Sequence, residues 1–215
     1  MKKSIVLFFI LLTASLSHAQ ISYNVKAGVN LSNWTEGDTD ARFGYKIGGG
    51  VEFSFNDVFS FQPSLLLSSK GMKMTGYYYG DYTDYKAKLT VNQLYVEMPL
   101  MVAARLRITE NSNIVFSAGP YLAYGVGGKI KMSVEDFGSE KINTFGESTI
   151  TDEDGNEVHF EGLDRFDAGL GVGVAAEFGK IVVGLEAQFG LTKLGNGEGD
   201  IPKNQNFSLV VGYKF

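Results

Sequence analysis

Apolar side chains alternate with small or polar ones in eight separate segments of this 215-residue chain. In the segment 165–178, apolar residues occupy the even positions, whereas Asp167, Glu177 and three glycines occupy odd positions. Because successive side chains of a strand point to opposite faces, alternation over this length predicts β-strands and not helices. The eight segments are 23–31, 45–55, 59–68, 94–105, 114–125, 165–178, 181–189 and 207–215.

The connections between these segments alternate between short and long. The short ones are 56–57, 109–112 and 179–180, and the long ones are 32–42, 72–91, 129–163 and 193–203. Strands of about 9–11 residues cross a bilayer when tilted, and short turns on one rim with long loops on the other are typical of outer-membrane barrels. The sequence therefore predicts an all-β protein of the cell outer membrane. Its residues 20–215 are expected to form one domain, an eight-stranded antiparallel up-and-down transmembrane β-barrel with both termini on the periplasmic side.

The first nineteen residues have the pattern of a secretory signal peptide. Lys2 and Lys3 precede an apolar run at 5–12, and Ser17 and Ala19 supply small residues before a cleavage point. A transmembrane helix is the alternative, but the apolar run is far shorter than the roughly 20 residues such a helix needs. We expect residues 1–19 to be a signal peptide that is removed after export.

Alternation alone does not say which face of the barrel is apolar. A soluble periplasmic ligand-binding barrel, with its apolar face inward, is therefore an alternative. Three features favour an apolar face toward lipid. Aromatic residues cluster near the strand ends, as in interfacial girdles, that face carries no charge between them, and the opposite face mixes glycines with charges. The aromatic residues are Tyr23, Phe53, Phe55, Phe59, Phe61, Phe178 and Phe215 at one end, and Tyr45, Tyr124, Phe166, Phe189 and Phe207 at the other.

The opposite face combines glycines with charged residues, five of each sign. An eight-stranded barrel leaves an interior just wide enough for side chains to fill, so charges enclosed there are expected to pair with opposite charges. The predicted barrel-interior charges are Lys26, Lys46, Arg105, Arg165 and Lys214, with Glu52, Glu97, Asp167, Glu177 and Glu186.

Short motifs in several strands add a family resemblance. They are Val25–Ser32, Leu94–Leu100, Ala118–Tyr121, Asp167–Gly173 and Gly212–Phe215. In their order and spacing these motifs resemble the small outer-membrane β-barrel proteins common in Bacteroidetes, often grouped with the PorT-like barrels. The resemblance covers nearly the whole mature chain and implies the barrel, but no common enzymatic chemistry. It implies that some relatives assist a secretion system or bind partners, and that the terminal Phe215 is read by the barrel-assembly machinery.

Composition excludes several other classes of function. Cysteine is absent, so there is no disulfide framework, thiolate metal site or cysteine nucleophile. The net charge of −5 argues against a nucleic-acid partner, which a basic patch would accompany. Gly169, Gly171 and Gly173 lie within a strand segment, where they suit a tight barrel better than a phosphate loop. We therefore expect no cofactor.

Two features of the longest loop invite a chemical interpretation. His159 could belong to a Ser-His-acid hydrolase site, although an exposed loop histidine is the simpler interpretation. The acidic run 152–157 could bind calcium, but Gly155 comes too early for a calcium loop, and Asp154-Gly155 between apolar residues predicts a hairpin turn. We expect no catalytic and no metal site. The loop 129–163 carries nine acidic and three basic residues, and cation bridging to charged lipid is a hypothesis for it.

A tyrosine cluster occupies the second long loop. Aromatic side chains with a polar tip suit binding of a protein or glycan, whereas an extension of the strands above the membrane is the alternative. The possible partner-contact residues are Tyr77, Tyr78, Tyr79, Tyr82 and Tyr85.

The function predicted from the sequence is that of a non-enzymatic outer-membrane β-barrel whose long loops contact an external or envelope partner, either protein or glycan. Its other partners are outer-membrane lipid and the assembly machinery. The alternatives are a narrow channel for small solutes and an accessory component of a secretion system. Eight strands leave little lumen, which argues against wide conduction.

Overall fold

The computed structural model describes residues 20–37, 39–79, 84–134, 138–151, 157–160, 162–195 and 201–215. These residues form eleven β-strands. No helix long and apolar enough to cross a membrane is found in this part of the chain. The strands are β1 (Gln20–Trp34), β2 (Asp40–Ser54), β3 (Phe59–Tyr79), β4 (Asp84–Thr109), β5 (Ser112–Val134), β6 (Gly138–Asn143), β7 (Ser148–Thr151), β8 (Glu157–Phe160), β9 (Phe166–Phe178), β10 (Ile181–Gly190) and β11 (Asn204–Lys214).

Eight of the strands close into a ring. β1 to β5 pair in chain order, β5 pairs with β9, β9 with β10, β10 with β11, and β11 returns to β1, always antiparallel. Closure leaves no free sheet edge, so the hydrocarbon core of a membrane meets no unpaired strand. The predicted eight-stranded antiparallel up-and-down barrel is confirmed.

The two rims of the barrel differ less than the sequence predicted, because the connections 35–39 (β1 to β2) and 80–83 (β3 to β4) are nearly as short as the turn 55–58 on the opposite rim. Short turns join β2 to β3, β4 to β5 and β9 to β10. The first residues of β1 and the last residues of β11 lie on the same side as these turns. Residues 112–178 illustrate the other rim, where β5 is separated from β9 by three short strands. We call these the short-turn rim and the long-loop rim.

The wall of the barrel is apolar on its outside. Val172, Leu185 and Leu209 are 49%, 59% and 49% exposed although they lie in the middle of paired strands. Their neighbours in sequence face the opposite way, and Ser208 is buried. Since side chains alternate along a strand, exposure of the apolar set places that set on the outside, where it suits lipid.

Several strands continue well beyond their predicted ends. β3 extends to Tyr79 and β4 begins at Asp84, and the two remain paired in register throughout this extension. The prediction of a loop at 72–91 is therefore wrong, because most of these residues form a β-hairpin. β5 likewise continues to Val134 and pairs with β6 inside the predicted loop 129–163.

The reason for this error is a reversal of polarity along the strands near the long-loop rim. On β4 the outward positions change from Val96 to Lys88, whereas the inward positions change from Glu97 to Val91, which is fully buried. A wall in hydrocarbon must be apolar outside, and a wall in water need not be. The reversal therefore marks the level at which the barrel leaves the hydrocarbon, and we call it the polarity switch.

The hairpin predicted from Asp154-Gly155 is borne out by its strands. β7 and β8 pair antiparallel, with Ile150 opposite Val158. The turn itself, 152–156, lies outside the described residues.

Candidate functional site

The lumen of the barrel is filled by charged and polar side chains. Glu52 on β2 and Glu177 on β9 both contact Arg105 on β4, although these three strands are not neighbours in the ring. Only across the lumen can such side chains meet. Nine of the ten charges predicted for the interior lie there in ion pairs or hydrogen bonds, namely Lys26, Lys46, Glu52, Glu97, Arg105, Asp167, Glu177, Glu186 and Lys214.

Four of these charges form a neutral ring next to the short-turn rim, the short-turn cluster. Arg105 Nη2 lies 2.6 Å from Glu52 Oε1, and Arg105 Nε lies 2.8 Å from Glu177 Oε2. Lys214 Nζ lies 2.7 Å from Glu52 Oε2 and also contacts Glu177. Each carboxylate therefore bridges two cations. Such a network costs less side-chain entropy per pair than isolated pairs would, because each side chain serves two contacts.

Halfway along the barrel, the central cluster joins two lysines to one carboxylate. Lys26 Nζ and Lys46 Nζ lie 3.1 Å and 2.9 Å from the two oxygens of Glu186. A cavity of about 90 Å³ lies between this cluster and the short-turn cluster, and its lining includes Ser64 and Met101. Its size corresponds to a few water molecules.

The long-loop cluster is the most deeply buried group in the lumen. Lys70, Glu97 and Asp167 are each fully buried. Lys70 Nζ lies 2.7 Å from Glu97 Oε2 and 3.9 Å from Asp167 Oδ2, and 4.4 Å from the centre of the Tyr121 ring. This lysine therefore supplies the positive charge that two buried carboxylates require.

Neutral side chains complete the long-loop cluster. Gln188 donates to Glu97 at 2.6 Å, and Asn204 donates to Asp167 at 2.9 Å. The hydroxyl of Tyr121 donates to Asp167 at 3.3 Å. Together these bonds fix both carboxylates in position.

Sequence reasoning missed Lys70. The third predicted segment ends at residue 68, but the inward positions of β3 continue with the same two-residue spacing through Ser64, Leu66, Ser68 and Lys70, all buried. One further step of the alternation would have found it. The pattern of polar inward residues ends directly after Lys70. Gly71 follows, and the next inward residue, Met72, is apolar because it lies at the polarity switch.

The prediction that Arg165 lies in the interior is wrong. Arg165 precedes β9 and is exposed. Its guanidinium donates to the carbonyl of Gly125 at 2.9 Å and lies 5.8 Å from the ring centre of Phe145. The alternation of β9 begins only at Phe166, so the position before it need not point into the barrel. With Lys70 in place of Arg165, the named lumen charges are again five of each sign.

An aromatic cap closes the lumen at the long-loop rim. Phe145, between β6 and β7, is buried against Tyr95, Tyr121 and Ala123, and its ring meets that of Tyr95 edge-on with centres 5.4 Å apart. Gly125 makes this possible, because a Cβ atom there would lie 2.5 Å from the Phe145 ring. No periodicity marks Phe145 in the sequence, since it stands in an irregular segment.

The predicted partner-contact residues lie at the far end of the β3–β4 hairpin. Tyr77, Tyr78 and Tyr79 end β3, and Tyr85 lies on β4 opposite Tyr78. Tyr77 is exposed, and the ammonium group of Lys86 lies 5.1 Å from its ring centre. Tyr82 lies outside the described residues.

The candidates for catalysis do not gather in the lumen. His159 lies on β8 opposite Thr149, in a two-stranded sheet that is not part of the ring of eight strands. Within the ranges that the structure describes, no three histidine, aspartate or glutamate side chains come together as a metal site would require. Glu52, Glu97, Asp167, Glu177 and Glu186 are each held by cations or donors, which suits a stabilising role rather than proton transfer.

The closed ring, the apolar wall and the ion-paired lumen define a transmembrane β-barrel. The chain belongs to the family of outer membrane protein beta-barrel domains, whose sequence pattern matches residues 14–196. Its location is accordingly the cell outer membrane, where barrels generally place their short turns in the periplasm and their long loops outside. A comparison with curated proteins finds no match.

Solved structures of small outer-membrane proteins are similar to this chain at low identity. The attachment invasion locus protein Ail of Yersinia pestis is 15% identical with a TM-score of 0.40, covering 91% of this chain and 97% of its own. Neisserial surface protein A is 11% identical with a TM-score of 0.44, covering 91% and 97%. The outer membrane protein OprG of Pseudomonas aeruginosa is 10% identical with a TM-score of 0.40, covering 91% and 94%.

Proposed function

We propose that this protein is a non-enzymatic, non-conducting outer-membrane barrel that presents its long-loop rim to a partner outside the cell or in the envelope. The observation that carries the proposal is the closure of the lumen. Lys70, Glu97, Asp167, Tyr95 and Tyr121 are at most 1% exposed, and Phe145 caps them. A hydrated ion would have to displace several buried, paired groups at once, and each unpaired charge left behind would be costly.

The first test is electrical. We expect the purified full chain in a planar bilayer to give no stable ohmic current steps at moderate voltage, because the long-loop cluster blocks the path. Stable steps from the wild-type chain would establish the narrow channel for small solutes instead. A barrel known to conduct, reconstituted in the same bilayer, controls for successful insertion.

The second test concerns the partner. The β3–β4 hairpin carries the tyrosines 77–79 and 85 beyond the polarity switch, where aromatic side chains with polar tips suit a protein or glycan surface. Affinity capture from intact cells should retain a partner with the wild-type chain and lose it when residues 76–87 are replaced by a short turn. The same partner recovered with both chains would rule out a contact through this hairpin.

Several finer assignments belong to the same proposal. The basic start and apolar run of residues 1–19 support a signal peptide, and the motifs in β1, β4, β5, β9 and β11 support a PorT-like Bacteroidetes barrel. An accessory role in a secretion system is the alternative function that this resemblance implies. The terminal Phe215 supports recognition by the barrel-assembly machinery. The negative net charge supports the absence of a nucleic-acid partner.

A further inference from the structure

Six lysines share the outward face of the sheet that rises above the barrel. This sheet consists of the extended parts of β3, β4 and β5 together with β6. Five of the lysines are exposed and Lys86 is half-buried. We call this set the lysine face: Lys73, Lys86, Lys88, Lys129, Lys131 and Lys141.

The strand register brings these lysines close together. Thr90 stands opposite Lys73 on one side and opposite Lys131 on the other, and Lys131 stands opposite Lys141. Neighbouring strands lie about 4.8 Å apart, so Lys73, Lys131 and Lys141, which come from three different strands, lie in one row across the sheet. Like charges directly opposite each other are destabilising, and a bound anion would remove that cost for Lys131 and Lys141.

A β-bulge directs the lysines of β5 outward. Leu94 pairs with Gly127 and Tyr95 with Gly125, so β5 carries one extra residue, Val126. Tyr124 before the bulge and Lys129 after it therefore face the same way, although one number is even and the other odd. Without the bulge, Lys129 and Lys131 would point to the inner, apolar side of the sheet.

Few partners within the protein neutralise this face. Among the residues that the structure describes, no carboxylate lies within 4.0 Å of any of the six ammonium groups. Lys129 donates to Asn143 at 2.7 Å, a neutral partner. Asp40 on β2 stands opposite Lys73 and so shares its face, whereas Glu140 stands opposite Met132 and faces the other side of the sheet. Apart from Lys73, which has Asp40 as its cross-strand neighbour, the lysines of this face are therefore available to an external anion.

The height of the lysine face indicates which anion it meets. On β5 the exposed Leu122, Tyr124 and Val126 belong to the lipid-facing wall, and Lys129 follows on that wall directly after the bulge. Lys73 follows the exposed Leu65 on the wall of β3 at a distance of eight residues. The face thus begins at the polarity switch, next to the headgroups of the outer leaflet and on the side that faces them.

We infer that the lysine face binds the phosphate groups of phosphorylated lipids in the outer leaflet. Ammonium groups are compact donors suited to phosphate oxygens, and a row of them on a flat sheet matches a layer of headgroups rather than a single small ion. For the acidic segment 129–163, this inference replaces cation bridging to lipid with direct contact. The three lysines of the segment lie together on the outward face of the sheet and can bind phosphate themselves. This lipid contact goes beyond the proposed partner contact, which involves the tip of the hairpin.

The test uses the full chain in neutral detergent and two lipids that differ only in charge. The probes are lipid A with both phosphates and the same lipid with both phosphates removed, and retained lipid is titrated by native mass spectrometry. The variant is Lys88→Gln/Lys131→Gln/Lys141→Gln. A lysine near an anionic lipid surface strengthens binding by about fivefold, so we expect the triple variant to bind phosphorylated lipid A about 100-fold more weakly than wild type.

The matched control is Arg107→Gln/Lys180→Gln/Lys193→Gln, which removes three exposed cations elsewhere and should bind like wild type. Folding of each variant is checked by its heat-dependent gel mobility.

If the triple variant does not fold, the wild-type chain alone still tests the inference. Its retention of phosphorylated lipid A must exceed that of the dephosphorylated form and must fall as salt rises. Equal retention of the two lipids, or equal binding by a folded triple variant, would overturn the inference. Binding of soluble dextran sulfate without binding of either lipid would assign the face to a soluble polyanion instead, and would equally overturn it.

Discussion

We expect the Lys70→Met variant to lose about 3–5 kcal/mol of folding free energy, the range found when one partner of a buried ion pair is removed. Lys70 and Glu97 are both fully buried with their charged atoms 2.7 Å apart. Methionine keeps most of the side-chain length but removes the charge, so that Glu97 and Asp167 remain as two buried carboxylates without this cation. The measurement is urea unfolding of the refolded barrel in lipid vesicles.

Two further variants distinguish charge from packing. Lys26→Met removes a lysine that is partly exposed, and Glu186 keeps its 2.9 Å contact with Lys46, so we expect a loss of about 1 kcal/mol. The double variant Lys70→Met/Glu97→Gln removes both charges of the buried pair and should recover part of the loss. A Lys70→Met chain as stable as wild type, or a double variant no more stable than the single one, would show that the pair does not hold the long-loop cluster together.

The membrane-spanning part of this barrel could be predicted from the sequence because one physical rule acts on every residue of it. The wall faces lipid on one side and a narrow polar lumen on the other, so the hydrophobic pattern has the two-residue period of the strand. The outward positions of Leu170 and Val172 and the inward position of Asp167 follow directly from this rule. The same rule predicted the number of strands in the ring.

The part above the membrane could not be predicted in the same way. There, water lies outside, and the long loops cover the inside, so that Val91 and Met72 are buried inward while lysines face outward. The period is still two, but its polarity is reversed, and a bulge at Val126 shifts the phase on β5. A search for one continuous alternation therefore ends each strand at the polarity switch and interprets the rest as loop.

A sequence pattern also cannot predict which of the lumen charges pair with each other. Alternation predicts that Glu186 points inward, but its partners Lys26 and Lys46 come from β1 and β2. Which side chains meet depends on the tilt of the strands and on the register around the whole ring. The sequence indicated a balanced set of charges, whereas the three clusters and the cap by Phe145 required the structure.

The polarity switch itself can be tested by placing one arginine on each side of it. Val172→Arg puts a charge on the outer wall at the middle of β9, and we expect it to destabilise the barrel in lipid vesicles by about 2–4 kcal/mol. Thr75→Arg makes a comparable change on the outward side of β3 beyond the switch, where the cost should be about 0–1 kcal/mol. Urea unfolding in the same vesicles measures both.

The difference between these two variants is more informative than either value alone, because it removes effects that any exposed arginine would have. Val172 is 49% exposed and Thr75 is also exposed, so neither substitution has to fit into a packed lumen. Only the surrounding medium differs, hydrocarbon in one case and water with headgroups in the other. Equal stability of the two variants would mean that the apolar wall around Val172 does not face acyl chains, and the assignment of outward and lipid-facing residues would fail along the whole ring. A loss confined to Val172→Arg would instead fix the hydrocarbon boundary between the middle of the barrel and the sheet that carries the lysine face.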